Sequence, residues 1–189
     1  MATELNGLRV AFLTSNAGVE QAELTTPWQA VLDAGGAPEL LAPEEGQVQA
    51  FKHLDKGESF TAHRALRDAD PVEYDALVIP GGVANSDSLR TPPAAVSFTR
   101  RFFEAGKPAA VICHGPWVLV EADLVRGRTL TSWPSLKTDL TNAGGTWTDA
   151  EVHVCTAGPN TLVTSREPAD LAAFCATLVM EFARQAQSA

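Results

Sequence analysis

Short, uninterrupted apolar runs along the chain alternate with stretches in which apolar positions recur every three or four residues. Residues 8–14 form the first run and break into the turn cluster Ser-Asn-Ala-Gly at 15–18. An acidic helical start covers 20–23. A second helical stretch is then opened by Pro27 and Trp28 and closed by Gly35 and Gly36. Pro27 fits best in the first turn of that second stretch, where its missing N–H costs little. Residues 39–41 read as a short strand, and the polar segment 44–59 as a loop or a small hairpin. The run 74–82 reads as a buried strand ending in a glycine corner at Gly81 and Gly82. Residues 93–106 read as a helix with Val96, Thr99 and Phe103 on one face. The apolar run 108–113 predicts another buried strand, and the turn at 114–117 leads into a helix reaching about Val125. Further strands are expected at 128–133, around Val152 and Val154, and at 161–164, with a helix at 135–142. The last helix has the clearest stripe, with Leu171, Phe174, Cys175, Leu178, Val179 and Phe182 at i, i+3, i+4, i+7, i+8 and i+11. Alternation of strand and helix predicts an α/β fold, a mostly parallel sheet with helices on both faces and its chemistry at the carboxyl ends of the strands.

Composition narrows this further. The chain has 189 residues, 45% hydrophobic and 20% charged, which suits one globular domain spanning 1–189 and excludes long disorder. The formal net charge of −9 disfavours phosphate backbones and anionic membranes as partners. The most apolar stretch, 171–180, is too short to span a bilayer, and no early segment has the layout of a secretion signal. Three cysteines without a paired spacing argue against a disulfide framework or a structural zinc site, so a reduced, cytoplasmic protein is expected.

One constellation stands out chemically. In Val-Ile-Cys-His-Gly-Pro-Trp (111–117) a cysteine ends an apolar strand, and a glycine and a proline suited to a first helical position follow. That is the layout of a nucleophile elbow. It places Cys113 at a helix N-terminus, where partial positive charge favours the thiolate. The corner at Gly81 and Gly82 offers free N–H groups that, with the N–H of His114, form a candidate oxyanion site. The alternative is that Cys113 is an ordinary buried cysteine. Cys175 lies in a core stripe, and Cys155 ends a strand beside a turn. His53, His63 and His153 lack metal-ligand spacing, Glu20 and Glu23 suit a helix N-terminus, and the four tryptophans suit core or interface positions.

The segments 109–117, 74–82, Arg-Gly-Arg-Thr-Leu-Thr-Ser-Trp-Pro-Ser (126–135) and Asn-Ala-Gly-Gly (142–145) resemble the PfpI family of the DJ-one/PfpI superfamily, over roughly residues 8–182. Residues 53–60, His-Leu-Asp-Lys-Gly-Glu-Ser-Phe, are similar to its general stress protein branch. The resemblance implies a flavodoxin-like three-layer sandwich of the class I glutamine amidotransferase kind. It implies Cys113 as nucleophile, His114 as acid or base, Glu23 as the carboxyl group that reaches the sulfur, and Glu20 as a second acidic position at the same corner. Gly82 then belongs to the oxyanion hole, and Asp87 reaches the histidine of a neighbouring subunit. Asn-Ser-Asp at 85–87 replaces the usual Asn-Pro-Asp, His63 stands where relatives often carry Asp, and 155–160 lengthens a tight hairpin. A stress-response enzyme acting on reactive carbonyls or glycated proteins and amino acids is implied, a glyoxalase or deglycase without cofactor or metal, assembled as a homodimer or larger. A cysteine peptidase and a redox-sensing or chaperone-like protein are the alternatives.

Overall fold

The computed structural model describes residues 4–187; residues 1–3 and 188–189, the ends of the expected domain, lie outside the described residues. The chain runs β1 (Arg9–Leu13), β2 (Ala17–Glu20), α1 (Gln21–Asp33), β3 (Ala37–Ala42), β4 (Gly46–Lys52), β5 (Asp55–Ala62), β6 (Arg64–Ala65) and β7 (Ala76–Ile79). It continues through α2 (Val83–Leu89), α3 (Pro93–Glu104), β8 (Ala109–Ile112), α4 (Pro116–Glu121), β9 (Thr129–Leu130), α5 (Lys137–Asn142), β10 (Thr146–Trp147), β11 (Val152–Cys155), β12 (Leu162–Ser165) and α6 (Leu171–Ala186).

Seven strands form the central sheet in the order β11-β12-β8-β7-β1-β3-β6. All its neighbours are parallel except β11 and β12. The strands read as continuous apolar runs because both faces are covered. Val10, Phe12, Ala110 and Ile112 point into one core with Phe174, Leu178 and Phe182 of α6. Their neighbours Ala11, Leu13, Ala109 and Val111 point into a second core with Phe98, Phe102 and Phe103 of α3. This is the expected flavodoxin-like α/β sandwich. From β1 the chain moves to β3 on one side and later to β7 on the other, so a crevice opens at the carboxyl ends of β1 and β7.

Several local expectations change. One helix, α1, runs through Pro27 instead of restarting there. An interior proline leaves the carbonyl four residues back, that of Glu23, without its helical donor; burial of Leu24, Pro27 and Val31 holds the helix together nonetheless. The cluster at 15–18 already contains the start of β2, which pairs with β4 in a separate three-stranded sheet β2-β4-β5. The polar insertion is therefore a hairpin, β4–β5, that extends this small sheet. The strand expected over 128–133 shrinks to β9, paired only with β10, and α4 stops at Glu121. Asp87 sits on the short helix α2.

Candidate active site

The glycine corner after β7 and the elbow after β8 meet at the crevice. Cys113 follows directly on β8 and has φ +62°, a left-handed conformation that a non-glycine residue adopts only under constraint. Both of its backbone groups are tied: its N–H donates to the Ser165 carbonyl and its own carbonyl accepts from the Trp133 N–H, each at 3.0 Å. Gly115 makes the turn possible, since a Cβ there would lie 2.7 Å from Val111 and 2.9 Å from the Ile112 carbonyl.

Glu23, in the first turn of α1, is fully buried beside this elbow. Its Oε2 accepts the Gly81 N–H at 2.8 Å. A Cβ on Gly81 would collide with that oxygen and lie 2.5 Å from Cys113 Cβ, so the corner admits only glycine. Oε1 is buried without a satisfied hydrogen bond, and Cys113 is the polar side chain that acts on the carboxyl group. Asn85 of α2, also fully buried, accepts the Ser15 N–H at 2.7 Å and donates to the carbonyls of Pro80 and Gly81 at 3.2 and 3.1 Å. It thereby pins the ends of β1 and β7 to each other. Sequence reasoning passed over Asn85; the available signal was an amide with both donor and acceptor capacity immediately after a glycine corner.

The N–H groups of Gly82 and His114 point at the Cys113 sulfur. His114 Nδ1 lies 3.2 Å from Sγ. The imidazole is enclosed by Trp117, edge-on at 5.2 Å, and Trp133, stacked at 5.8 Å. These two tryptophans line the site, not only the core. Burial pushes His114 down from 6.5 to about 4, so the ring is neutral at neutral pH. Burial likewise pushes Glu23 up from 4.5 to about 8, opposed by the contact with Cys113 and the Gly81 N–H.

The Cys113 thiol is raised as well, first by burial and then by the charge of Glu23, while the N–H groups of Gly82 and His114 pull the other way. This corrects the expectation of a thiolate favoured by the helix N-terminus. The His114 ring is neutral at neutral pH, α4 has only six residues, and desolvation outweighs the helix end. Carboxyl and thiol are thus a coupled pair in which two negative charges side by side are disfavoured.

Glu20, Glu23, Gly82, Asp87, Cys113 and His114 all line one cavity of about 590 Å³. Their surroundings differ. Asp87 bonds Arg90 at 2.8 Å within its own chain, and that guanidinium stacks on Trp117 at 4.9 Å. The Glu20 carboxylate faces the β4–β5 hairpin tip, where it accepts the His53 N–H at 2.9 Å. His53 and Leu54 of this tip line the same cavity. Cys155 and Cys175 are buried elsewhere, Cys175 within the α6 core. His63 stacks on Trp28 and accepts the Leu40 N–H at 3.0 Å. Among the described residues no group of three or more His, Cys, Asp or Glu side chains is placed to hold a metal ion, and no helix is long and apolar enough to cross a membrane.

Comparison with known proteins agrees with this architecture. A deglycase, PH1704 from Pyrococcus horikoshii, is 41% identical over 88% of this chain and 95% of its own length. Protein/nucleic acid deglycase 2 of Escherichia coli is 40% identical over 82% of this chain and 87% of its own, and general stress protein 18 of Bacillus subtilis is 37% identical over 82% and 87%. Among solved structures, a protein from Anabaena variabilis containing DJ-1/ThiJ/PfpI-like and ferritin-like domains superposes with a TM-score of 0.84 at 34% identity. The match covers 92% of this chain and 47% of that one, so this chain spans about half the length of that two-domain protein. Schizosaccharomyces pombe DJ-1 shares the fold at 19% identity, with a TM-score of 0.78 over 96% of this chain and 98% of its own. The model of the DJ-1/PfpI family matches residues 8–181, and the chain belongs to that family.

Proposed function

We propose that the protein is a cysteine-dependent enzyme that destroys reactive dicarbonyls and their early adducts on amino groups, in the manner of a deglycase or glyoxalase. The observation that carries this reading is a sulfur held on a left-handed backbone, 3.2 Å from a neutral imidazole and beside a buried carboxyl group that keeps its proton to about pH 8. In this reading His114 Nδ1 takes the thiol proton, and Cys113 adds to the aldehyde carbon to form a hemithioacetal. The N–H groups of Gly82 and His114 hold the resulting oxygen. The Glu23 O–H steadies the sulfur, as a carboxylate there would repel it. Hydrogen transfer to the neighbouring ketone carbon gives a thioester, which water cleaves to a hydroxy acid and free thiol. The names of the deglycase relatives support the substrate class.

The protein works as one domain in the cytoplasm and as at least a dimer, with Asp87 orienting the histidine of a second copy. Such an orienting carboxylate stabilises the imidazolium formed during proton transfer.

The deciding experiment compares wild type with Cys113→Ser on methylglyoxal, on methylglyoxal adducts of N-acetyl amino acids and on fluorescent casein. Release of lactate from the first two, lost in Cys113→Ser, is the expected result. Casein cleavage without lactate release makes the protein a peptidase. Stoichiometric Cys113 oxidation without turnover makes it a sensor.

A further inference from the structure

The Cys113 site contains one imidazole on its floor and a second over its mouth. His114 is enclosed by Trp117 and Trp133, with Nδ1 directed at the sulfur. Its proton chemistry therefore belongs to the sulfur side of the reaction. An amine adduct makes a further demand. Its reacting carbon is already four-coordinate, so sulfur bonds to it only as a bond to hydroxyl or nitrogen breaks, and release of the amine requires that this be the C–N bond. The electron pair of that bond leaves on nitrogen, and an amine departing without a proton is a poor leaving group.

The group placed to meet that demand is on the hairpin tip. His53 joins β4 to β5, is 84% exposed at its side chain and lines the same cavity as Cys113. Its backbone is held left-handed at φ +58°. A single carboxylate oxygen fixes it from below: Glu20 Oε2 accepts the His53 N–H at 2.9 Å and lies 3.9 Å from His53 Nδ1. Glu20 itself is rigid at the junction of β2 and α1, its N–H bonded to the Gly81 carbonyl and its side chain only 12% exposed. The carboxylate thus spaces the hairpin from the floor and stands as counter-ion to the imidazolium form. Histidine is the side chain that changes charge within the physiological range and exchanges its proton with solvent.

Resting on the deglycase reading above, we propose that His53 is the general acid for the departing amine and that Glu20 positions it. In this step the S–C bond forms at Cys113 and the C–N bond breaks. The C–N pair goes to nitrogen, the His53 imidazolium gives its proton to that nitrogen, and water at the mouth reprotonates the ring. The thiol proton stays on His114. The assignment accounts for the bond between the Glu20 carboxylate and the hairpin tip.

The test uses the methylglyoxal adducts of Nα-acetyl-lysine and of an aniline, which are a strongly and a weakly basic leaving amine. His53→Ala should lower kcat on the lysine adduct about a hundredfold, the usual size of a general-acid contribution, with KM changed little. The aniline adduct should lose far less, and added imidazole should restore part of the lysine activity. Glu20→Gln retains an acceptor for the His53 N–H but not the charge, so it should lower kcat less than His53→Ala does. The rate of Cys113 alkylation by iodoacetamide should stay within about twofold of wild type in both variants. Equal losses on the two adducts without imidazole rescue, or collapse of Cys113 alkylation, would make the hairpin tip merely structural and overturn the assignment. So would a His53→Ala enzyme of wild-type kcat. Turnover that survives Cys113→Ser overturns the deglycase reading itself and this inference with it; turnover lost there but intact in His53→Ala overturns the inference alone.

Discussion

The floor and the mouth of the cavity are built on opposite physical terms. On the floor Cys113, Glu23, Gly81 and Asn85 are buried, bonded to one another and tied into the main sheet. At the mouth His53 and Leu54 project from a hairpin of the small sheet, with Leu54 95% exposed. Desolvation dominates the first region, pushing Glu23 up and His114 down. The contrast divides the cavity into a dry floor, where burial sets charge states, and a wet rim open to solvent.

The sharpest way to break the contrast is to put one methyl group on the floor and one in the small sheet, at the end of β4 away from the tip. Gly81→Ala forces a Cβ against Glu23 Oε2 and Cys113. It should abolish turnover and destabilise the fold by about 1–3 kcal/mol, as overpacking does; melting curves and lactate release check it. At Gly46, the first residue of β4, a Cβ meets nothing within 4 Å, although φ is +106°. Gly46→Ala should therefore cost only its backbone strain, about 1–3 kcal/mol, and retain activity. An active Gly81→Ala enzyme would show that the corner has room.

Asn85→Ala comes next. It strips the partner from the Ser15 N–H and the Pro80 carbonyl in a buried place and leaves the Gly81 carbonyl to the Glu20 N–H. A loss of roughly 2–4 kcal/mol is expected, since each buried unpaired group costs about 1–3 kcal/mol. Urea unfolding measures it, and a change under 0.5 kcal/mol would mean that water replaces the amide.

Titration probes the floor more gently. Glu23 holds its proton more tightly folded than at its ordinary value of 4.5, so its contribution is full below that pH and is lost as pH rises towards about 8. His114 has the opposite sign: its contribution is full above 6.5 and is lost as pH falls towards about 4. The two oppose one another below 6.5, and from 6.5 to 8 Glu23 acts alone. Stability should fall across that upper window by up to about 1.4 kcal/mol per pH unit. Glu23→Gln should flatten the slope. A wild-type melting temperature constant from pH 6.5 to 8 would refute the raised carboxyl.

The smallest effect belongs to Leu54 on the rim. Leu54→Asn should leave stability within about 0.5 kcal/mol and raise KM for dicarbonyl adducts a few-fold. A change in kcat larger than that in KM would place Leu54 closer to the chemistry than its exposure suggests.

What the sequence made legible follows the same division. β1, β7 and β8 could be read because burial on both faces leaves unbroken apolar runs, and the elbow because glycine and proline follow Cys113 directly. The helix α2 was not legible: its residues Val-Ala-Asn-Ser-Asp-Ser-Leu carry no apolar stripe, and its placement depends on the Asn85 bonds to two strand ends. Pro27 misled because local propensity argues for a break that buried contacts override. The direction of the Cys113 shift was out of reach for a related reason: desolvation comes from residues distant in sequence, whereas helix-end and neighbour effects are local. Glu20 was recognised as an acidic corner residue, but its partner His53 arrives from 33 positions away.

The backbone of Cys113 is bonded on one side to Ser165 of β12 and on the other to Trp133. In hydrogen exchange its amide should accordingly be among the slowest of the chain, opening only when the central sheet does. Thermal inactivation would then track global unfolding with no earlier phase in which the fold survives and the nucleophile is lost. With such coupling a partly loosened molecule presents no half-formed site with an exposed Cys113 thiol.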